Sequence, residues 1–403
     1  MHPFRALGRA LLAPPRRVVA AVNELGSQLY ERLEWLYHLR VRLWLVEGIE
    51  RHSRLPLSVL CGLPGQMRNY VLGLMFEDGY RRRPIGWYWL WELPRAIAAR
   101  PECSMILTRT SESQLKRFMR AGRWIHIPEW VFGEVDLPLD ARTLRRVNGD
   151  IRRIRKHQLS YEITRDRRSF DDFYYNMYVP YISKTFGNTA YVYSYRHQKR
   201  LFHFCDLILI KQEDRVIAGQ FIWYDGDDPP FLESVGIRDG DRQHVQNGAA
   251  CALYHFAYQY LHEQGYRTVT VGWSKPFLND GVLQFKRKWG EVITYHRFWG
   301  TGLMVASLTP ATKSFLCNNP FIFKRDDLLY AAVFVDADKP LTADDLQEIE
   351  KDYLHAGLSG LTIYRLPSDD GSASNPAVAE LPEHVELRAW PQETNAGSGR
   401  TQG

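Results

Sequence analysis

The 403-residue chain is sparing with cysteine. Cys61, Cys103, Cys205, Cys251 and Cys317 are odd in number, widely separated and form no CxxC pair. That pattern argues against a zinc or redox site built on such a pair and suits reduced thiols in a cytoplasmic protein. No stretch of the chain offers the ~18 uninterrupted apolar residues of a conventional membrane-spanning helix. The 13 histidines show no ligand spacing, so no metal is expected. A G-x-S-x-G elbow, a P-loop, an HExxH pair and an EF-hand loop are all missing, which removes the chemistries those motifs carry.

What is present is aromatic and basic. Apolar residues make up 45% of the chain and aromatics 13%, with 12 Trp, 22 Tyr and 19 Phe, enough for a large core. At about 150 residues per domain the length predicts two or three domains. The net charge of +6 is uneven: Asp369, Asp370, Glu380, Glu383, Glu386 and Glu393 face only Arg388 and Arg400 in residues 367–403. The remaining body is therefore more basic than the total and suits an anionic partner, whether a nucleotide cofactor, a lipid surface or RNA.

Residues 1–26 form a basic leader with Arg5, Arg9, Arg16 and Arg17, whose apolar run is broken by Pro14 and Pro15. This is not the unbroken core of a signal peptide. It reads as an amphipathic segment that either touches an anionic membrane surface at the inner membrane, packs on its own domain or frays. Leu29, Leu33, Leu36, Tyr37, Val41 and Leu43 predict an amphipathic helix over 27–50. In WYWLWELP, Trp87, Trp89 and Trp91 share one face of a strand, either a core face or a carbohydrate-stacking platform. Strand, helix and strand follow over 103–140, so 27–140 reads as an N-terminal α/β region.

Residues 141–160 predict a helix bearing Arg145, Arg146, Arg152, Arg153, Arg155 and Lys156, a solvated face or an anion-binding one. From 159 to 300 the pattern is strand, helix, three strands, a long helix over 248–265, strand, short helix, strand. Pro180 is expected to end or kink the first of these helices. A Pro/Asn-rich connector leads to a strand–helix–strand extension within 311–366. Beyond Pro367 the composition predicts a disordered acidic tail.

The order of elements in 141–310 resembles the GNAT acyltransferase superfamily. The segments IRRIRKHQLSYEIT, FDDFYYNMYVPYI, RVIAGQFIWY, VGWSKPFLNDG and LQFKRKWG resemble its Fem-type and envelope- or polysaccharide-associated branch. The resemblance implies an α/β (α+β) fold with a GNAT-like mixed sheet flanked by helices, and a degenerate GNAT-like first half in 27–140. It implies N-acyl transfer from acyl-CoA, most simply acetyl-CoA, to an amine or hydroxyl of a sugar or cell-envelope precursor. The Fem-type alternative is transfer from aminoacyl-tRNA, with the basic helix on tRNA. A third reading is a GNAT-fold scaffold that has lost catalysis.

In that family the donor's pantetheine arm pairs with the strand that here is FLESVGI, through the main chain of Val235, Gly236 and Ile237. Its pyrophosphate sits at the start of the next helix, at Gln246, Asn247, Gly248 and Ala249. The chain departs from the usual glycine-rich signature, having Gln243-His-Val-Gln-Asn-Gly248, and Gly248 also reads as an ordinary helix start. Glu233 is the expected general base, or else an inward carboxylate paired with arginine. Asp280 is a second base candidate, or a turn aspartate capping a helix. Lys286 stands where many GNAT enzymes have a tyrosine and is expected to steady an oxyanion or phosphate; a solvated basic helix face reads equally. The tyrosine's role would pass to Tyr295 or to water, and Trp273 and Lys275 are placed for the acceptor, Lys275 for an anionic group on it or else as an ordinary loop lysine.

Overall fold

The computed structural model describes residues 38–119, 123–187, 190, 192–226, 228–296, 299–338, 340–367 and 381–390. The leader 1–26, the first part of the helix expected over 27–50 and most of the acidic tail lie outside them.

Among the described residues seventeen strands build two mixed sheets. The first run is β1 (Arg40–Ile49), β2 (Pro56–Gly62), β3 (Arg81–Trp89), β4 (Met105–Ser111) and β5 (Ile125–Pro128). Next come β6 (Val131–Asp136), β7 (Leu159–Thr164), β8 (Cys205–Gln212), β9 (Arg215–Trp223), β10 (Phe231–Ile237), β11 (Thr268–Ser274) and β12 (Val292–His296). The chain closes with β13 (Trp299–Val305), β14 (Phe321–Arg325), β15 (Leu328–Asp336), β16 (Gly360–Leu366) and β17 (Val385–Ala389). The seven-stranded sheet runs β12-β6-β11-β10-β9-β8-β7 and the ten-stranded one β17-β16-β15-β14-β5-β13-β4-β2-β1-β3. The chain crosses between sheets at β5/β6 and again at β12/β13. The ten-stranded sheet is thus not built by 27–140 alone: it takes its other strands from 299–389.

Alternation explains the layers. In β8, Leu207 and Leu209 face Phe170, Phe173, Met177 and Phe221, while Ile208 and Ile210 face Ala252, Leu253, Ala257 and Leu261 of the long helix Ala249–Glu263. A further cluster joins the sheets, with Val131, Leu278, Leu283 and Ile293 against Ile322, Ala331 and Ile363.

Several expectations need correction. Residues 40–49 are a strand, because Val41, Leu43 and Leu45 are buried at period two between exposed Arg40 and Arg42. The expected strand over 292–300 is two strands in different sheets. The Pro/Asn-rich connector holds a helix, Pro310–Asn318, and β14. Inside the expected tail, β17 pairs in parallel with β16. The helix containing Pro180 does not stop there, although proline brings no N–H to its ladder. It passes from Arg167–Phe173 through a π turn, Tyr174–Tyr178, into Val179–Phe186, where proline sits in the first turn. The tryptophans of β3 are exposed, not a core face.

Candidate active site

β10 and β11 are parallel neighbours that pair only at Phe231↔Thr270. Beyond that point no ladder pairing joins them among the described residues, although a Gly272 Cβ would still fall 2.9 Å from Leu232 O. On its other side β10 stays paired with β9, but the register shifts between Glu233 and Val235. The extra residue, Ser234, has φ +48°, a left-handed conformation that a bulge imposes. Its hydroxyl accepts from Nε2 of buried Gln198 at 2.8 Å. Among the described residues no strand pairs with the other edge of Val235–Ile237. That edge is where the resemblance places an extended donor.

Glu233 stands next to the bulge, opposite Phe221 of β9 and half-buried. Burial pushes its carboxyl up to about 7, against the opposing pull of Lys286 and of the Ser234 hydroxyl and backbone. Its nearby cation is a lysine, not the arginine of the alternative reading.

Lys286 overturns the solvated-face reading, being only 3% exposed. It lies on the helix Gly281–Lys288, and its ammonium donates to Trp273 O at 2.9 Å and Ser274 Oγ at 3.0 Å. Burial lowers its pKa, while Glu291, Glu233 and Asp280 pull the other way. The flanking bases are tied down too: Arg287 donates to the backbone oxygen of Asp352, and Lys288 pairs with Asp150 at 2.6 Å.

Glu291 is the member that sequence reasoning missed. It is 4% exposed, burial pushes it up to about 7 against Lys286, and neither carboxylate oxygen has a hydrogen-bond partner among the described residues. Nothing in W-G-E marks a buried acid; the one cue was its place five residues after Lys286. Buried Glu291 and half-buried Glu233 thus flank one buried cation, and groups so placed titrate together.

The other candidates separate. Asp280 is a cap: Oδ1 accepts from the N–H groups of Val282 and Leu283, and Oδ2 accepts from Tyr70 at 2.9 Å. It therefore orients the helix that carries Lys286 and is not a free base. Lys275 lies 3.4 Å from the ring centroid of Trp130 and 5.4 Å from that of Tyr70. Trp273 meets Phe132 edge-on at 4.5 Å. Tyr295 lies on β12, with β6 between it and β11, and its side chain is outside the described residues.

The turn after β10 is built in two steps. A short helix, Arg242–Gln246, is capped by Asp241; then Gly248, at φ +100°, starts Ala249–Glu263. Asn247 accepts from Gln243 at 2.9 Å, and Gln246 is exposed. Gly248 and Ala249 are buried, with the stem of Arg153 about a van der Waals contact (3.4 Å) from where a Gly248 Cβ would sit. Arg153 comes from the basic helix Ala141–Lys156, so that helix delivers a cation to this turn.

Gly236 is fixed by close approach. A Cβ there would fall 2.6 Å from Tyr178 N and 2.8 Å from Met177 C, backbone atoms that cannot rotate away. The π turn therefore presses directly on β10. Gly236→Ala is expected to destabilise the fold by about 1–3 kcal/mol. Chemical denaturation measures it; an unchanged midpoint would mean the π turn is free to move.

No family profile and no curated protein matches the sequence. Among solved structures, L-PGS from Bacillus licheniformis is 12% identical over 56% of this chain and 74% of its own, with a TM-score of 0.33. The C-terminal domain of a putative lysylphosphatidylglycerol synthetase from Agrobacterium fabrum is 12% identical over 68% and 83%, TM-score 0.31. A GCN5-related N-acetyltransferase from Sphaerobacter thermophilus is 12% identical over 67% and 79%, TM-score 0.30. Likenesses at this level reach neither activity nor substrate, and the functional reading rests on the chain's own residues.

Proposed function

We propose that the chain is an acyltransferase, moving an acyl group from a thioester or ester donor to an amine or hydroxyl acceptor between β10 and β11. The observation that supports it is Glu233: half-buried at the bulge, held near neutrality by burial, and backed by the buried Lys286. A carboxylate with that proton affinity takes a proton at neutral pH more readily than an ordinary glutamate. As the acceptor nitrogen or oxygen bonds to the acyl carbon, its proton passes to Glu233. The bond from carbon to the donor's sulfur or oxygen breaks, and the leaving group is protonated in turn by water. Lys286 has two donors committed to the backbone of Trp273 and the hydroxyl of Ser274, so its part is to set the charge around Glu233. The acceptor this reading favours is a glycan or envelope precursor.

For the donor, acyl-CoA is the leading reading, with its arm on the open edge of Val235–Ile237 and its phosphates near Gly248 and Arg153. The exposed cations of Ala141–Lys156, which reach the same turn, favour a second reading, aminoacyl-tRNA. Titration calorimetry with acetyl-CoA, longer acyl-CoAs and charged tRNA separates them. Micromolar acyl-CoA binding, weakened about tenfold by Arg153→Gln, supports the first. Binding of tRNA alone, falling steeply with salt, supports the second. Binding of neither leaves a scaffold without transfer chemistry.

A further inference from the structure

One edge of the ten-stranded sheet carries features that acyl transfer does not use. β3 is its last strand, and beside it three large rings stand in water: Trp87 is 54% exposed, Trp89 40% and Trp91 47%. Such rings in a row mark a contact surface. They are interleaved with arginine. In the β1/β3 register Arg42 lies opposite Trp87 and Arg40 opposite Trp89, so all four share a face. The Arg40 guanidinium lies 5.8 Å from the centroids of both Trp87 and Trp89. At the start of β3, Arg81, Arg82 and Arg83 are consecutive and all exposed.

We infer that this edge docks on the interface of an anionic phospholipid membrane. Consecutive strand residues point to opposite faces, so Arg81–Arg83 are all reached only by a surface that meets the strand edge-on. β3 has 9 residues and spans about 30 Å, far more than one headgroup covers. Tryptophan suits the headgroup level, where its ring leaves water while its N–H stays bonded, and arginine suits the phosphates. Pro84 and the three charges block addition of another strand to this edge. Bases or sugars would need open ring faces. Here Trp89 and Trp91 stack on each other at 5.0 Å and 8°, and Arg40 stands over Trp87 and Trp89.

The test is co-sedimentation of the full chain with phosphatidylcholine vesicles, with and without one-third phosphatidylglycerol. Binding is expected only with phosphatidylglycerol and falls as salt rises. The triple variant Arg81→Gln, Arg82→Gln, Arg83→Gln is expected to weaken it on the order of 100-fold. The double variant Trp87→Ser, Trp89→Ser weakens it on the order of tenfold. All five positions are exposed, and an unchanged melting temperature confirms the fold. The inference is overturned by absence of binding. It is equally overturned if both variants bind like the parent chain, which would put the contact elsewhere, or if an oligonucleotide or acidic polysaccharide binds more tightly than the vesicles.

Discussion

Glu233→Gln is expected to lower turnover by about 100- to 10,000-fold, the usual range for loss of a general base, with the fold unchanged. The glutamine keeps the shape and the bulge at Ser234 but cannot accept a proton. On the proposed function the parent chain carries a second signature. A base whose carboxyl sits at about 7 must be ionised to work, so kcat/KM rises with pH and levels off above 7. An ordinary glutamate would level off below pH 5. In the variant the residual rate lacks that rise. Steady-state kinetics across this range, with the donor that calorimetry identifies, checks both. A variant within a few-fold of the parent would remove Glu233 from the chemistry.

Glu233 was legible as a candidate because it is the carboxylate inside the apolar strand FLESVGI, which the resemblance places at the donor. The central sheet was legible for a related reason: β8 and β9 are apolar on both faces, since a layer packs on each. The edges were harder. In residues 40–47 the alternation of arginine with Val41, Leu43 and Leu45 was outweighed by the helical spacing of Leu29, Leu33 and Leu36 just before it. β17 hid in an acidic composition because its charges pair after folding: Glu386 bonds Arg325 at 2.7 Å and Arg388 at 2.6 Å. The tryptophans of β3 were weighed first as core because of their size, and burial depends on whether another element covers the face.

Glu291 shows the limit more sharply. Its burial follows from β12 pairing with β6, more than a hundred residues away in sequence, and from the helix just before it. Lys286 was singled out by position, but its environment could not be read there. Only the fold shows that its ammonium is spent on Trp273 and Ser274 and faces two acids.

That environment makes Lys286→Met the second large effect. Methionine keeps most of the volume but removes the cation that draws protons away from Glu233 and Glu291. Both carboxyls then rise above 7, and the acidic limb of the kcat/KM profile moves to higher pH by a unit or more. Turnover at pH 7 falls about tenfold and recovers toward the parent value near pH 9. A lysine that contacted the oxyanion itself would give a loss of equal size at every pH, so the recovery decides between the roles. Stability follows the same groups. Carboxyls held above their unfolded values contribute fully below about 4.5, and that contribution is lost as pH rises through 7. In the variant the loss is deeper, because ionised Glu233 and Glu291 have no partner: about 3 kcal/mol at pH 8. It shrinks as pH falls through 7 and the acids take up protons. Denaturation midpoints of the two proteins that converge toward pH 5 and diverge toward pH 8 would tie the buried lysine to the proton affinity of the base; parallel curves would make Lys286 an ordinary packing residue.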